Sequence, residues 1–130
     1  MAYNFLIVDD SATTRTIIKK ILELSSIEIG ELHEAADGEE ALEVLQNKWI
    51  DLVFADINMP RMNGVEMVQR MMEDGMLKSI PVVIVSSEGS ETRIEEMMSK
   101  GIKAYLRKPF TPENIKELAE NILNLNKGGE

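Results

Sequence analysis

The sequence predicts an α/β protein, a doubly wound sandwich in which five helices cover both faces of a mostly parallel sheet of five strands. Two observations favour this fold class. Short apolar runs alternate with amphipathic segments along the 130 residues, without a linker or an internal repeat. The apolar runs are nearly continuous, which is typical of strands buried on both faces of a parallel sheet. Right-handed crossovers between such strands place helices on both sides.

The length favours a single domain. A chain of 130 residues lies in the usual size range of one domain. Its composition, 44% hydrophobic and 28% charged residues, is that of a globular protein. We assign residues 1–126 to this domain and residues 127–130 to a polar tail.

The first two strands and helices are predicted from the spacing of apolar residues, which is continuous in the strands and helical in the helices. Asn4–Val8 contains the run Phe-Leu-Ile-Val and is predicted to be a buried strand. Thr13–Leu24 carries apolar residues at helical spacing and is predicted to be a helix. Glu31–Ala36 is predicted to be a weaker strand. Asp37, followed three residues later by Glu40, has the spacing of a capping box and begins the second helix.

The middle of the chain repeats the pattern. Leu52–Ala55 is a second clear apolar strand, and we expect Trp49 to pack near its start. Gly64–Asp74 has helical spacing, with Gly75 as the expected C-cap. Pro81–Val85 is predicted to be the fourth strand, because proline is tolerated at the first position of a strand.

The last part of the chain completes the five repeats. Ser90–Lys100 is predicted to be a helix that Gly101 ends. Ala104–Arg107 is a short strand. Thr111 is a good N-cap residue, and Pro112 suits the first position of the last helix.

Composition excludes several classes of site and partner. The chain has no cysteine and a single histidine, which excludes a disulfide scaffold, a thiolate metal site and a multi-histidine zinc site. Its 14 basic and 23 acidic residues give a net charge of −9, so we expect no nucleic-acid partner. Neither a signal peptide nor an apolar run of membrane-spanning length is present in the sequence. We therefore expect a cytoplasmic protein without membrane contact.

Polar side chains follow four of the five predicted strands. Asp9 and Asp10 follow the first strand and Asp56 the third, while Ser86 and Lys108 follow the fourth and the fifth. The functional crevice of an open parallel sheet lies at the carboxyl ends of its strands. We therefore expect these side chains to meet at one edge of the sheet.

Three neighbouring carboxylates repel one another, and a hard divalent cation such as Mg²⁺ resolves that conflict. We predict Asp10 and Asp56 as direct ligands and Asp9 as a ligand through water. A carboxylate can also act as a nucleophile that forms an aspartyl-phosphate. Asp56, on the central strand, is the predicted nucleophile, with Lys108 and the Ser86 hydroxyl neutralising phosphoryl oxygens.

Segments at these strand ends resemble the motifs of response regulator receiver domains of two-component systems. They are Val8-Asp9-Asp10-Ser11, Asp56-Ile57-Asn58-Met59-Pro60-Arg61-Met62-Asn63-Gly64, Val85-Ser86-Ser87-Glu88 and Lys108-Pro109-Phe110, with Ala36–Leu42 as a further family-like segment. The resemblance covers residues 4–125 and is nearest to single-domain chemotaxis regulators of the CheY type. It implies a flavodoxin-like sheet with strand order 2-1-3-4-5.

The resemblance assigns roles to the site residues. Asp56 is implied to accept a phosphoryl group from a phosphohistidine, and Lys108 to pair with the phosphate. Asp9, Asp10, Asp56 and the backbone carbonyl of Asn58 are implied to hold Mg²⁺, for which Mn²⁺ can substitute. Such a protein catalyses only its own phosphorylation and dephosphorylation, so we do not expect an enzyme that acts on other molecules.

The resemblance also implies a switch. The hydroxyl of Ser86 would move to the phosphate while the ring of Tyr105 turns inward. Asn58 and Glu88 occupy the positions that tune the lifetime of the acyl-phosphate, and their identities predict rapid autodephosphorylation. The Lys108–Pro109 peptide bond is expected to be cis.

The implied partners are proteins. A sensor histidine kinase or a histidine phosphotransfer domain would supply the phosphoryl group, and a downstream target would contact the fourth helix, fifth strand and fifth helix. No DNA-binding or catalytic segment follows residue 125, so we expect the output to be a protein contact. We also expect a monomer with chemotaxis-type output, with the flagellar motor switch as a candidate target. The candidate target contacts are Ile94, Met97, Met98, Tyr105 and Lys116. A phosphorelay intermediate and a constitutive binding module remain as alternatives.

Two other classes with a similar fold fit less well. A phosphatase of the haloacid-dehalogenase type needs a second aspartate two residues after its nucleophile, and Asn58 stands there. A flavodoxin-type module needs a phosphate-binding loop after the first strand. Asp9 and Asp10 would repel that phosphate.

Overall fold

The computed structural model describes residues 2–87 and 90–124, in which strands and helices alternate as predicted. The elements are β1 (Tyr3–Val8), α1 (Ala12–Leu24), β2 (Ile29–Ala35), α2 (Gly38–Asn47), β3 (Leu52–Ala55), α3 (Gly64–Met72), β4 (Val82–Ser86), α4 (Glu91–Ser99), β5 (Ala104–Arg107) and α5 (Pro112–Ile122). None of these helices has the combined length and apolar character needed to cross a membrane. The polar tail predicted over residues 127–130 lies outside the described residues, and the domain boundary stays a prediction.

The five strands form one parallel sheet in the order β2-β1-β3-β4-β5, which confirms the doubly wound fold and the implied strand order. The register decides where the polar residues emerge. Val8 is paired with Ala55, so the residues that follow β1 and β3 leave the sheet side by side. Ser86 is paired with Arg107, which brings the residue after β5 to the end of β4.

The strands are apolar throughout because both faces of the sheet are covered. Successive side chains point to opposite faces. Val53 and Ala55 pack into the cluster beneath α2, α3 and α4, whereas Leu52 and Phe54 pack beneath α1 and α5. Fully burying one such large side chain stabilises the fold by about 1.5–3 kcal/mol.

Each helix begins at a residue whose side chain accepts a hydrogen bond from the first turn. These N-caps are Ser11, Asp37, Asn63, Ser90 and Thr111. The capping box predicted at the start of α2 is formed only in part. Asp37 accepts from the Glu40 amide at 3.0 Å, but the Glu40 carboxylate accepts from the amide of Ala36 rather than that of Asp37. At the end of α4, Gly101 has φ 113°, so the predicted glycine stop is confirmed.

The prediction that Gly75 caps the third helix is wrong. The helix ends at Met72, and the cap is Glu73 in right-handed conformation. The reason lies in Asp74, whose carboxylate accepts hydrogen bonds from the amides of Met76 and Leu77. An aspartate that bonds to the backbone two residues on forms a turn of its own, and no left-handed glycine is needed.

The prediction that Trp49 packs near the start of the third strand is also wrong. The side chain stands beside that strand but is 77% exposed, and its indole N–H donates to Asp51 Oδ1 at 3.1 Å. The next residue, Ile50, is buried in the core at this point. Because neighbouring residues of an extended segment point in opposite directions, Trp49 faces solvent.

Candidate functional site

The structure brings together the three carboxylates that the strand order predicts. Asp9, Asp10 and Asp56 each offer a carboxylate oxygen, and these oxygens lie within 4.8 Å of one another. Asp9 is 3% exposed and Asp56 8%, whereas Asp10 is exposed to solvent. The cluster is therefore open on one side, where a ligand can approach.

The backbone at the start of α1 holds Asp9 in place. The amide of Ser11 donates to Asp9 Oδ1 at 2.9 Å, and Arg15 Nη1 donates to the Asp9 carbonyl at 2.6 Å. Arg15 is itself held by the Glu34 carboxylate at 2.9 Å. The N-cap of α1 is Ser11, which accepts from the Thr14 amide, so the capping role does not fall to the acidic pair.

Asp56 is held directly behind β3. Its amide donates to the Val8 carbonyl at 2.9 Å, and its Oδ1 accepts from the Ile57 amide at 2.7 Å. Gly64, at the start of α3, lies so close that a Cβ there would be 2.2 Å from the Asp56 carbonyl oxygen. This close approach fixes the backbone that carries the predicted nucleophile.

Lys108 contacts two of the three carboxylates. Its Nζ lies 3.1 Å from Asp9 Oδ2 and 3.5 Å from Asp56 Oδ2. Partial burial acts to lower the pKa of Lys108, but the hydrogen bond to Asp9 and the charges of Asp56 and Asp9 outweigh it, and the pKa is raised. The lysine is therefore a cation at neutral pH.

The donor set fits a hard divalent cation. Counted at their formal charges, the three carboxylates and one ammonium sum to −2, which one divalent cation balances. All three cluster residues offer oxygen ligands, which Mg²⁺ prefers over nitrogen or sulfur. Asp10 is exposed, so such an ion and its waters would enter the cluster from the side of this carboxylate.

Of the two proposed switch residues, Ser86 lies at the site edge of the sheet and Tyr105 lies within β5, two residues before the end of that strand. Ser86 ends β4 and is fully buried, and its carbonyl accepts from the Lys108 amide at 2.9 Å. Tyr105 is paired with Ile84, is half-buried against the core cluster, and has a buried hydroxyl. The peptide bond between Lys108 and Pro109 is cis, as the resemblance implied.

The structure gives no contact with the acidic cluster for two further residues of the predicted site. Asn58 lies in the exposed loop after β3, two residues from Asp56. Glu88 lies outside the described residues. Their roles in metal binding and phosphate lifetime stay predictions.

The candidate target contacts divide between several faces. Met97 is buried in the core, so it is not available to a target. Lys116 lies beside Ile17 and Lys20, in a groove between α5 and α1, away from β5. Ile94 and Tyr105 are half-buried, and Met98 is exposed.

An ion pair between Asp37 and Arg61 was not foreseen. Asp37 is fully buried and Arg61 lies in the loop between β3 and α3, with its guanidinium on the Asp37 carboxylate. The Glu40 amide holds the pKa of Asp37 below its usual value, burial opposes this, and Arg61 lowers the pKa further. No local pattern links residues 24 positions apart.

The parallel sheet, its strand order and the acidic cluster with a lysine define the class of signalling domain that the motifs resemble. Residues 5–120 match the family described as response regulator receiver domain, and the chain belongs to this family. It is a family of signalling proteins.

Similar proteins include chemotaxis regulators. The chain is 38% identical over 122 residues to the chemotaxis protein CheY1 of Helicobacter pylori, covering 93% of this chain and 97% of that protein. Among solved structures, chemotaxis response regulator CheY4 of Vibrio cholerae has a TM-score of 0.84 at 30% identity, covering 94% of this chain and 99% of that one. CheY of Borrelia burgdorferi, in a complex with CheX, BeF3 and Mg²⁺, also has a TM-score of 0.84, at 32% identity, covering 93% of this chain and 89% of that one.

Proposed function

We propose that Asp56 accepts a phosphoryl group from a phosphohistidine in a Mg²⁺-dependent reaction and that phosphorylation switches a protein-binding surface. One observation carries the proposal. Three carboxylates from the ends of β1 and β3 lie within 4.8 Å, and Lys108 from the end of β5 reaches two of them. A structural ion pair would need only one carboxylate for one lysine.

The chemistry requires a nucleophile and charge neutralisation. A carboxylate oxygen of Asp56 attacks phosphorus, the O–P bond forms, and the N–P bond breaks. The electron pair stays on the imidazole nitrogen of the donor, which takes a proton from solvent. Lys108 and the Ser86 hydroxyl neutralise phosphoryl oxygens as charge develops. Water later cleaves the acyl-phosphate to release inorganic phosphate and restore the Asp56 carboxylate, and the identities of Asn58 and Glu88 tune the rate of this step.

The donor set favours the three carboxylates as metal ligands, and the family resemblance adds the backbone carbonyl of Asn58. Asp10 and Asp56 would bind the cation directly, Asp9 would bind it through water, and the Asn58 carbonyl would complete the protein's share. Mg²⁺, or Mn²⁺ in its place, would supply the positive charge that offsets the crowded carboxylates and the phosphoryl oxygens. The charge of −2 that the cluster and Lys108 carry supports this assignment.

The output is a protein contact made by α4, β5 and α5. Ser86 moves toward the phosphoryl group, and Tyr105 turns inward to change that surface. A sensor kinase or a phosphotransfer domain is the donor, and a chemotaxis target such as the flagellar motor switch is the receiver of the signal. The chemotaxis relatives, one solved with CheX, BeF3 and Mg²⁺, support a protein of this kind acting in the cytoplasm.

The test is an intact-mass measurement after incubation with Mg²⁺ and acetyl phosphate. We expect one added phosphoryl group, absent from the Asp56→Asn variant and from a metal-free sample. Rapid hydrolysis would hide the phosphoryl adduct. Binding of beryllofluoride, a stable phosphoryl mimic, is therefore measured in parallel. If neither phosphoryl nor beryllofluoride binds at Asp56, the chain is a constitutive binding module and the proposal is wrong.

A further inference from the structure

We propose that the ion pair between Asp37 and Arg61 is a clasp that positions the loop over residues 57–63 for divalent-cation binding. Arg61 and Asp37 are then positioning residues of the metal site, although neither touches the metal. The inference rests on the proposed function, since it assigns a support to the same site.

Two consecutive residues of one turn bind two consecutive residues of the loop. Arg61 Nε donates to Asp37 Oδ2 at 2.8 Å, and a second guanidinium nitrogen contacts the same oxygen. The amide of Gly38 donates to the Met62 carbonyl at 2.9 Å. A Cβ at Gly38 would lie 2.8 Å from that carbonyl oxygen, so glycine permits the contact. The start of α2 and the loop are thus joined by side chain and backbone together.

The backbone conformation of Arg61 points to a purpose for its side chain. Arg61 has φ 62°, in the left-handed region, which non-glycine residues rarely adopt. An arginine is unfavourable there unless its side chain makes a compensating interaction. That interaction is with a carboxylate that is fully buried, while the Arg61 side chain itself is 58% exposed. The guanidinium therefore reaches inward from the surface to Asp37, and it also lies 3.7 Å from the exposed Glu40 carboxylate.

The loop is held at two points, and its proposed metal ligand, Asn58, lies between them. At the near end, the Ile57 amide is bound by Asp56 and the Ile57 carbonyl accepts from the Gly64 amide at 2.9 Å. At the far end, the clasp holds Arg61 and Met62. Asn58 lies between these anchors, so its backbone carbonyl is restrained before a cation arrives. A ligand held in advance loses less conformational freedom on binding, and supports of this kind change metal affinity about 10-fold or more.

The test compares Mn²⁺ affinity, read from the electron paramagnetic resonance signal of free Mn²⁺, in the wild type and in Arg61→Asn. Asparagine tolerates left-handed backbone but is too short to reach Asp37. Removing a positive charge near a cation site would, by charge alone, strengthen Mn²⁺ binding. We expect affinity to fall about 10-fold instead. The double variant Asp37→Ser/Arg61→Asn keeps the net charge of the wild type and a hydroxyl that can cap α2. Its Mn²⁺ affinity should be no lower than that of Arg61→Asn, because the two residues act through one contact.

Two control variants separate the outcomes. Asp10→Asn should lose Mn²⁺ binding, and Arg70→Asn, on the exposed face of α3, should bind as the wild type does. Mn²⁺ affinity in Arg61→Asn equal to or above that of the wild type would overturn the clasp and leave the proposed function standing. Wild-type protein that shows no Mn²⁺ binding sensitive to Asp10→Asn would overturn both.

Discussion

The ammonium of Lys108 lies 3.1 Å from Asp9 and 3.5 Å from Asp56, so one side chain from the edge strand joins two carboxylates at the ends of the central strands. Both carboxylates are largely buried. The lysine therefore neutralises part of the buried negative charge of the fold, and the proposed function gives it a second role toward the phosphoryl group.

Replacing Lys108 with methionine should separate these two roles. Without the ammonium, buried carboxylates lose their partner, so we expect the metal-free protein to lose roughly 1–3 kcal/mol of unfolding free energy. Saturating Mg²⁺ should recover more stability in the variant than in the wild type, because the cation then supplies the missing charge. Urea unfolding with EDTA or with Mg²⁺ measures both values.

The rate of phosphorylation should respond differently. Loss of one group that neutralises a phosphoryl oxygen is expected to slow adduct formation from acetyl phosphate by about 100-fold, even at saturating Mg²⁺. Intact mass against time gives the rate. A variant that is phosphorylated at the wild-type rate would show that Lys108 has only a structural role.

Gly64→Ala should damage both stability and the site. The new Cβ would lie 2.2 Å from the Asp56 carbonyl oxygen, a backbone atom with little room to move. Overpacking of this kind costs about 1–3 kcal/mol, and here it displaces the predicted nucleophile as well. Urea denaturation and the acetyl phosphate assay measure the two effects.

Gly75→Ala is the matched control. Nothing lies within 4 Å of a Cβ at Gly75, and its φ is not among the positive values. We expect unchanged stability or a gain of about 0.4–1 kcal/mol, since alanine has less freedom in the unfolded chain. Equal losses in both variants would argue against the close contact behind Asp56.

Asp37 should contribute to the pH dependence of stability. Its pKa is lowered from 3.8, chiefly by the Glu40 amide and, against the effect of burial, by Arg61. A carboxyl whose folded pKa is depressed stabilises the protein above its unfolded pKa, and this contribution is lost as pH falls through the folded value. The free energy of unfolding of the wild type should therefore be about 1–2 kcal/mol higher than that of Asp37→Asn at pH 5–7. The difference should shrink below about pH 4.

Paired urea titrations of the wild type and Asp37→Asn from pH 7 to pH 3 isolate this one group from the other carboxylates. A constant difference over that range would mean that ionisation of Asp37 does not stabilise the fold.

Trp49 should report poorly on the metal site. The indole is 77% exposed and precedes β3, whereas Asp56 follows it. The four residues of β3 span about 13 Å. We expect Trp49 fluorescence to be readily quenched by iodide and to change little on addition of Mg²⁺ or beryllofluoride. A large, saturable change that Asp10→Asn abolishes would contradict this placement.

Prediction from the sequence succeeded where burial on both sides leaves a continuous apolar run. Leu52–Ala55, which is buried throughout, has the bounds that the sequence predicts. Ala104–Arg107 also has its predicted bounds, although it is a half-buried edge strand. Prediction was weaker at β2, an edge strand that begins at Ile29 rather than Glu31. Two of its first four residues, Gly30 and Glu31, are not apolar, and pairing with β1 decides where the strand starts.

Part of the candidate site could likewise be predicted from the sequence, and part could not. Topology alone places Asp9, Asp56 and Lys108 at one edge, because parallel strands end together. The contact of Arg61 with Asp37 depends on a left-handed residue in a loop, which no hydrophobic pattern encodes. The Trp49 error has a similar origin, since one neighbouring isoleucine decides which side chain enters the core.

The distance of Lys108 from its partners along the chain has a consequence for synthesis. The lysine is 99 residues from Asp9 and 52 from Asp56. On the ribosome, β1 and β3 emerge and can pair long before the lysine does. During that interval the growing chain holds the two carboxylates without this counter-charge, and a cation from solution can take its place. Cellular magnesium would then assist biogenesis of the domain before any signal reaches it.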